Sequence, residues 1–154
     1  MKQSHSYHRL LFHLVFSTKN REHLIDSHED GHVLAGLFAV KAHHLEVYIE
    51  EFGYWRDHVH LLVRIAPKLS LAKIYGQLKG FASHTWNDRF PERKLYWQDG
   101  VFSVTVDPDD CNDLRWYIRN QWNHHESGSL QENWEMPDIG PKGLPAERQR
   151  SKDR

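Results

Sequence analysis

Cysteine is almost absent from this chain: Cys111 stands alone among 154 residues. That excludes an intramolecular disulfide and any zinc site built on several thiolates, and it suits a reducing cytoplasm. No apolar run approaches the roughly 20 residues that cross a bilayer, so no membrane role is expected. The first residues, Met1 to Ser6, lead directly into a strand-like segment and carry no secretory signature. Neither sign of charge is in excess. A formal net charge of −1 provides no overall basic field, which counts against a protein that merely coats nucleic acid, although a local basic stripe survives a neutral total. There is no internal repeat either, and the length suits one domain with a substantial core. What the chain does have is aromatic side chains (six Trp, six Tyr, seven Phe) and 13 histidines.

Two of those histidines fall in the stretch that organises the rest, Asp57-His58-Val59-His60-Leu61-Leu62-Val63. It reads as a β-strand. Successive side chains alternate between faces, so His58 and His60 point the same way, about 7 Å apart along the strand. Val59, Leu61, Val63 and Ile65 point into a core. Two imidazoles side by side on a sheet face make two-thirds of a facial metal site. With so many histidines, a chance pair is the competing reading.

Alternation at Leu10, Phe12, Leu14 and Phe16, with Arg9, Leu11, His13 and Val15 on a mixed second face, predicts a strand from Tyr7 to Thr18. A basic turn follows. Ser27 to Asp30 resembles a capping box, and Val33, Leu34, Leu37 and Phe38 continue at helical spacing to about Lys41 or His43. Leu45 to Tyr54 reads as a second strand, joined by Trp55-Arg56-Asp57 to the histidine strand, which Pro67 closes. Ser70 caps the clearest helix, with a stripe at Leu71, Ile74, Tyr75, Leu78, Phe81, Ala82 and Thr85. Trp97 to Val106 is extended, with Gly100 as a break. Asp107-Pro108 starts a last helix, expected to run to about Trp122. The order is that of an α+β, ferredoxin-like split β-α-β sandwich: an antiparallel sheet with helices on one face, and a C-terminal helix free to lie on the other. One domain is expected over residues 1–125, followed by a mobile extension over 126–154.

That last helix carries Leu114-Arg115-Trp116-Tyr117-Ile118-Arg119-Asn120-Gln121. Tyr117 and Gln121 are four apart and share a helical stripe. Laid across the open sheet face, the stripe would bring a phenol and an amide carbonyl to the paired histidines, setting a nucleophile beside a Lewis-acid site. His124 and His125, just beyond, are competing ligands.

The histidine stretch together with Tyr117-Ile118-Arg119-Asn120-Gln121 resembles the single-tyrosine HUH transposases of small bacterial insertion sequences, including the REP-associated tyrosine transposases. The likeness extends over Tyr7 to Arg21, Leu69 to Phe81 and Trp97 to Phe102, and covers about Tyr7 to His124. It implies an enzyme that cleaves and rejoins single-stranded DNA, often beside a hairpin. In it Tyr117 is the catalytic nucleophile forming a 5′-phosphotyrosyl link. His58, His60 and Gln121 hold a divalent cation, Mg²⁺ or Mn²⁺. Relatives act as monomers or as homodimers. Lys19, Arg21, Lys73, Lys79, Arg115 and Arg119 are candidate DNA contacts, and Trp55, Trp86, Trp97 and Trp122 are candidates for stacking unpaired bases. Three rivals differ in class. A histidine-triad nucleotide hydrolase wants a third histidine in register where Leu62 stands. A DNA-binding protein with the same fold but no cleavage, and a small metal-binding or structural protein, remain open.

Overall fold

A computed structural model describes residues 6–131 and 134–135. Strand β1 (Leu10–Ser17) leads through a 3₁₀ turn to helix α1 (His28–His44), then strands β2 (Tyr48–Trp55) and β3 (His58–Ile65). Helix α2 (Leu71–Arg89), strand β4 (Phe102–Thr105), helix α3 (Cys111–Arg119) and helix α4 (Gln121–Ser127) follow. The four strands form one antiparallel sheet in the order β2-β3-β1-β4. This is the split β-α-β arrangement expected from the element order.

The two faces of the sheet do different jobs. Leu14, Phe16, Val59, Leu61 and Val63 pack under α1 and α2, against Leu34, Phe38, Ile74, Leu78 and Trp86. Each such side chain, fully buried, contributes roughly 1.5–3 kcal/mol. The caps lie where the sequence indicates: Ser27 Oγ accepts from Asp30 N–H, and Ser70 Oγ accepts from Lys73 N–H. Trp86 extends the α2 stripe one turn past Ala82 and is 1 % exposed, with its indole N–H donated to Arg93 O. Trp97 also packs against this core. Trp86, fully buried, is not placed to stack a base.

The opposite face receives α3. Leu11 and Leu62 pack there against Cys111, Leu114 and Ile118. Gly53 on β2 permits the close approach, since a Cβ built there would lie 1.8 Å from Ile118 O. A β-bulge between Ile49 and Glu51 sets two carboxylates side by side toward α3. Arg115 pairs with Glu50, and Arg119 with Glu51 at 2.8 Å.

The last helix departs from expectation. It is not continuous to Trp122 but breaks at Asn120 (φ −102°, ψ 24°) into α3 and α4. The Asn120 side-chain amide donates to Trp116 O at 2.8 Å, alongside the Asn120 backbone N–H at 3.1 Å, and so caps the end of α3. Helix α4 runs to Ser127 and ends on Gly128 in the left-handed conformation, so the boundary expected at residue 125 falls inside it. Of the expected mobile extension, residues 126–131 and 134–135 are described, and Trp134 packs beside Leu114 and Ile118 in the α3 cluster; the rest lies outside the described residues. Among the described residues, no helix is long and apolar enough to cross a membrane.

Candidate active site

His58 and His60, the first and third residues of β3, project from the face that α3 covers and are buried. Their rings lie 5.0 Å apart. Each is oriented through its Nδ1. His58 Nδ1 meets Asp57 Oδ1 at 2.6 Å, and His60 Nδ1 meets His13 Nε2 at 2.8 Å. Both Nε2 atoms therefore face the same space, the arrangement in which an outer partner fixes the tautomer of a metal-binding imidazole. His60 Nε2 is buried and, apart from a Glu135 carboxylate oxygen at 3.3 Å, meets no hydrogen-bond partner among the described residues.

Around His58 Nε2 stand Gln121 Oε1 at 3.4 Å, His125 Nε2 at 3.1 Å and Glu135 Oε2 at 3.2 Å. Glu135 Oε2 also lies 3.3 Å from His60 Nε2. The ligand atoms of His58, His125 and Glu135 all fall within 4.8 Å of one another. Two buried imidazole nitrogens converging on one carboxylate oxygen, their rings fixed from behind, with an amide oxygen beside them, fit a divalent cation.

Tyr117 comes to this cluster from α3, in the same chain. Its ring is 6.2 Å from that of His60, stacks on His124 at 4.6 Å and lies 5.0 Å from Trp134. Its hydroxyl donates to Glu135 Oε1 at 2.5 Å and accepts from Gln131 N–H at 3.0 Å. The break at Asn120 leaves the Tyr117–Gln121 spacing intact, because Gln121 Nε2 still reaches Tyr117 O at 3.4 Å.

Electrostatics follow from burial and these partners. Burial and the Glu135 carboxylate hold the Tyr117 phenol well above its ordinary value, so it rests protonated. Burial alone would depress His58, but its bonds to Asp57 and Glu135 outweigh that and raise it. Burial lowers His60 despite Glu135, and lowers His13 further, with the neighbouring His60 adding to the effect. Desolvation, then His58, bring His125 down to about 4, leaving it a neutral imidazole at pH 7. Glu135 is held far below the carboxylate range: burial opposes this, but bonds to His58 and His60 prevail.

The family model described as "Transposase IS200 like" matches residues 6–121, which contain both histidines, the tyrosine and the glutamine. The chain belongs to the IS200-like transposases. The transposase for insertion sequence element IS200 of Salmonella typhimurium is 25 % identical over 131 residues, covering 81 % of this transposase and 85 % of that one. Its counterpart from Salmonella typhi matches to the same extent. Among solved structures, a candidate transposase from Deinococcus radiodurans superposes with a TM-score of 0.64 at 22 % identity, covering 79 % of this chain and 98 % of that one. A REP-associated tyrosine transposase bound to a REP hairpin gives 0.57 at 14 %, covering 94 % and 89 %.

The basic residues of this transposase divide by what they already hold. Lys19 is exposed beside the end of β1, and Arg21 reaches Ser17 Oγ at 2.8 Å and Asp57 Oδ2 at 3.3 Å, adjoining His58. Lys79 donates to Gln98 O and Gly100 O, pinning the loop before β4. Arg115 and Arg119 clamp α3 onto β2 through Glu50 and Glu51. Lys73 is exposed on α2, across the sheet from the histidines. Trp55 stacks on His125 at 4.8 Å and contacts Trp122 at 4.7 Å. Beside them a cavity of 160 Å³ is lined by His28, Tyr54, Arg119, Asn120, Trp122 and Asn123.

Sequence reasoning missed His13 and Glu135. His13 stood on a mixed strand face, and only the register of β1 against β3 brings it to His60. Glu135 follows no periodic segment and had no signal.

Proposed function

We propose that this transposase cleaves and rejoins single-stranded DNA with Tyr117 as nucleophile. One observation carries the reading: within a single chain, the Tyr117 hydroxyl shares the Glu135 carboxylate with His58 and His60. That arrangement supports cleavage in cis, with the nucleophile and the histidines drawn from one chain.

In the reaction, Tyr117 Oη forms a bond to phosphorus, the P–O3′ bond breaks, and the chain is left on the protein as a 5′-phosphotyrosine. The leaving O3′ takes up a proton, and the phenol gives one up. A 3′-hydroxyl attacking later reverses these steps and rejoins the strand, so no nucleotide cofactor is required. His58, His60 and Gln121 are the proposed holders of a divalent cation, Mg²⁺ or Mn²⁺. Bound there, it would offset the charge developing on the phosphate oxygens. Asp57 and His13 fix the imidazoles so that little reorganisation remains at the moment of reaction.

For DNA we propose a strand passing Lys19 and Arg21, with an unpaired base against Trp55 and Trp122. A hairpin next to the cleaved strand is the proposed partner, supported by the hairpin bound to the REP-associated relative. Lys79, Arg115 and Arg119 are assigned to holding the fold. Lys73 is a remote phosphate contact at most.

The test uses end-labelled hairpin oligonucleotides with single-stranded flanks, incubated with Mn²⁺ or with EDTA. The expected result is a cut in the flank that leaves an extendable 3′-hydroxyl and disappears with EDTA or in Tyr117→Phe. Binding without any cut, in the wild type with Mn²⁺, would favour a DNA-binding role on the same fold.

A further inference from the structure

Two imidazoles and an amide bring no negative charge to a 2+ ion, and imidazole pairs favour softer metals than Mg²⁺ or Mn²⁺. The missing element is an anionic oxygen, and the chain places one there. Glu135 lies beyond the residues matched by the family model, which end at 121. Its carboxylate nonetheless lies within 3.3 Å of both imidazoles and within 2.5 Å of the Tyr117 hydroxyl.

The geometry points to Glu135 as a fourth protein ligand of the cation, a carboxylate that joins the metal centre to the Tyr117 hydroxyl. This rests on the reading of His58 and His60 as a metal site. Ligands about 2.1 Å from a shared ion, at right angles to one another, sit about 3 Å apart. Glu135 Oε2 lies 3.2 Å from His58 Nε2 and 3.3 Å from His60 Nε2, close to that separation. Its other oxygen, Oε1, is engaged by the Tyr117 hydroxyl at 2.5 Å. The carboxylate is thus divided, with one oxygen toward the imidazoles and one toward the nucleophile.

The surrounding segment keeps it there. Trp134 lies against the Tyr117 ring at 5.0 Å, and Gln131 N–H donates to Tyr117 Oη at 3.0 Å. With Glu135 included, the donor set becomes two imidazoles, a carboxylate and an amide oxygen, and oxygen donors are the ones that suit Mg²⁺ and Mn²⁺. The competing account is that Glu135 is only a counter-ion, paired with a protonated His58 while no metal is bound.

Mn²⁺ binding by the full chain, without DNA, separates the two. The signal of free aqueous Mn²⁺ in electron paramagnetic resonance reports the bound fraction directly. If Glu135 is a ligand, Glu135→Gln weakens Mn²⁺ at least tenfold, Glu135→Asp recovers part of the loss, and His60→Ala also weakens it. Glu135→Gln binding as tightly as the wild type, or more tightly, overturns the inference and leaves the His58–His60 centre standing. Wild-type protein that binds no Mn²⁺ at all overturns both. Cooperative melting in EDTA checks that each variant is folded, and Glu135→Asp carries the test if Glu135→Gln is not. In that case Glu135→Asp binding Mn²⁺ less tightly than the wild type but more tightly than His60→Ala supports the inference, and any other result overturns it.

Discussion

His13 Nε2 lies 2.8 Å from His60 Nδ1, joining the two central strands of the sheet through buried imidazoles. A proton on His60 Nδ1 donated to His13 leaves His60 Nε2 as a bare lone pair facing the site. His13 is therefore a positioning residue, acting on the metal centre through His60. His13→Phe is expected to weaken Mn²⁺ binding 10–100-fold without removing any ligand. Mn²⁺ titration of the variant checks this, with melting in EDTA to confirm the fold; unchanged affinity would remove His13 from the site.

Gly53 sets the height of α3 above the sheet. A methyl group at this position would meet the Ile118 carbonyl oxygen, a backbone atom that cannot swing aside. Gly53→Ala should push α3 outward and lower stability by about 1–3 kcal/mol, the usual cost of overpacking. Because Tyr117 precedes Ile118, cleavage should fall more steeply than DNA binding. Urea denaturation and a binding titration on the same preparation would show this separation.

The buried histidines predict how chelated protein responds to acid. His13 and His60 have folded values below the ordinary 6.5, so as pH falls past 6.5 the unfolded chain binds protons that the folded chain does not. Stability is then lost on acidification, at about 1.4 kcal/mol per pH unit for each net proton. His58 works the other way: its folded value is raised, so its contribution is complete below 6.5 and is lost as pH climbs through that raised value. His125, brought down to about 4, acts with His13 and His60, so three groups oppose one. The melting temperature in EDTA should therefore fall between about pH 7 and pH 5.5, and His13→Phe should shallow that slope. A melting temperature that rises on acidification would reverse the assignment.

Trp122 lines the cavity next to Trp55 and His125, and Arg56 lies 5.0 Å from its ring. If an unpaired base stacks there, Trp122→Ala should weaken single-stranded DNA by about 1–3 kcal/mol and Trp122→Phe by less. Affinity for fully paired duplex should change little. Fluorescence anisotropy with both ligands, at one salt concentration, distinguishes these outcomes.

Local periodicity explains why much of the site is legible in the sequence. Alternation along a strand puts His58 and His60 on one face and Val59 and Leu61 on the other, and the four-residue spacing keeps Gln121 near Tyr117. Both patterns are consequences of backbone geometry alone. The helix break is different: Asn120 leaves helical geometry at φ −102°, ψ 24°, and nothing in the residue spacing announces it. Arg115 and Arg119 read as exposed charges until the β2 bulge supplies Glu50 and Glu51. Glu135 reaches His58 across 77 residues of chain, a tertiary pairing without any local pattern to announce it.

The central claim concerns one covalent bond. Protein incubated with a hairpin oligonucleotide and Mn²⁺, then denatured, digested and examined by mass spectrometry, should carry a 5′-linked nucleotide on the peptide containing Tyr117. Tyr117→Phe should bind the same DNA and carry none. An adduct that persists in Tyr117→Phe, or that maps to another residue, would contradict the account.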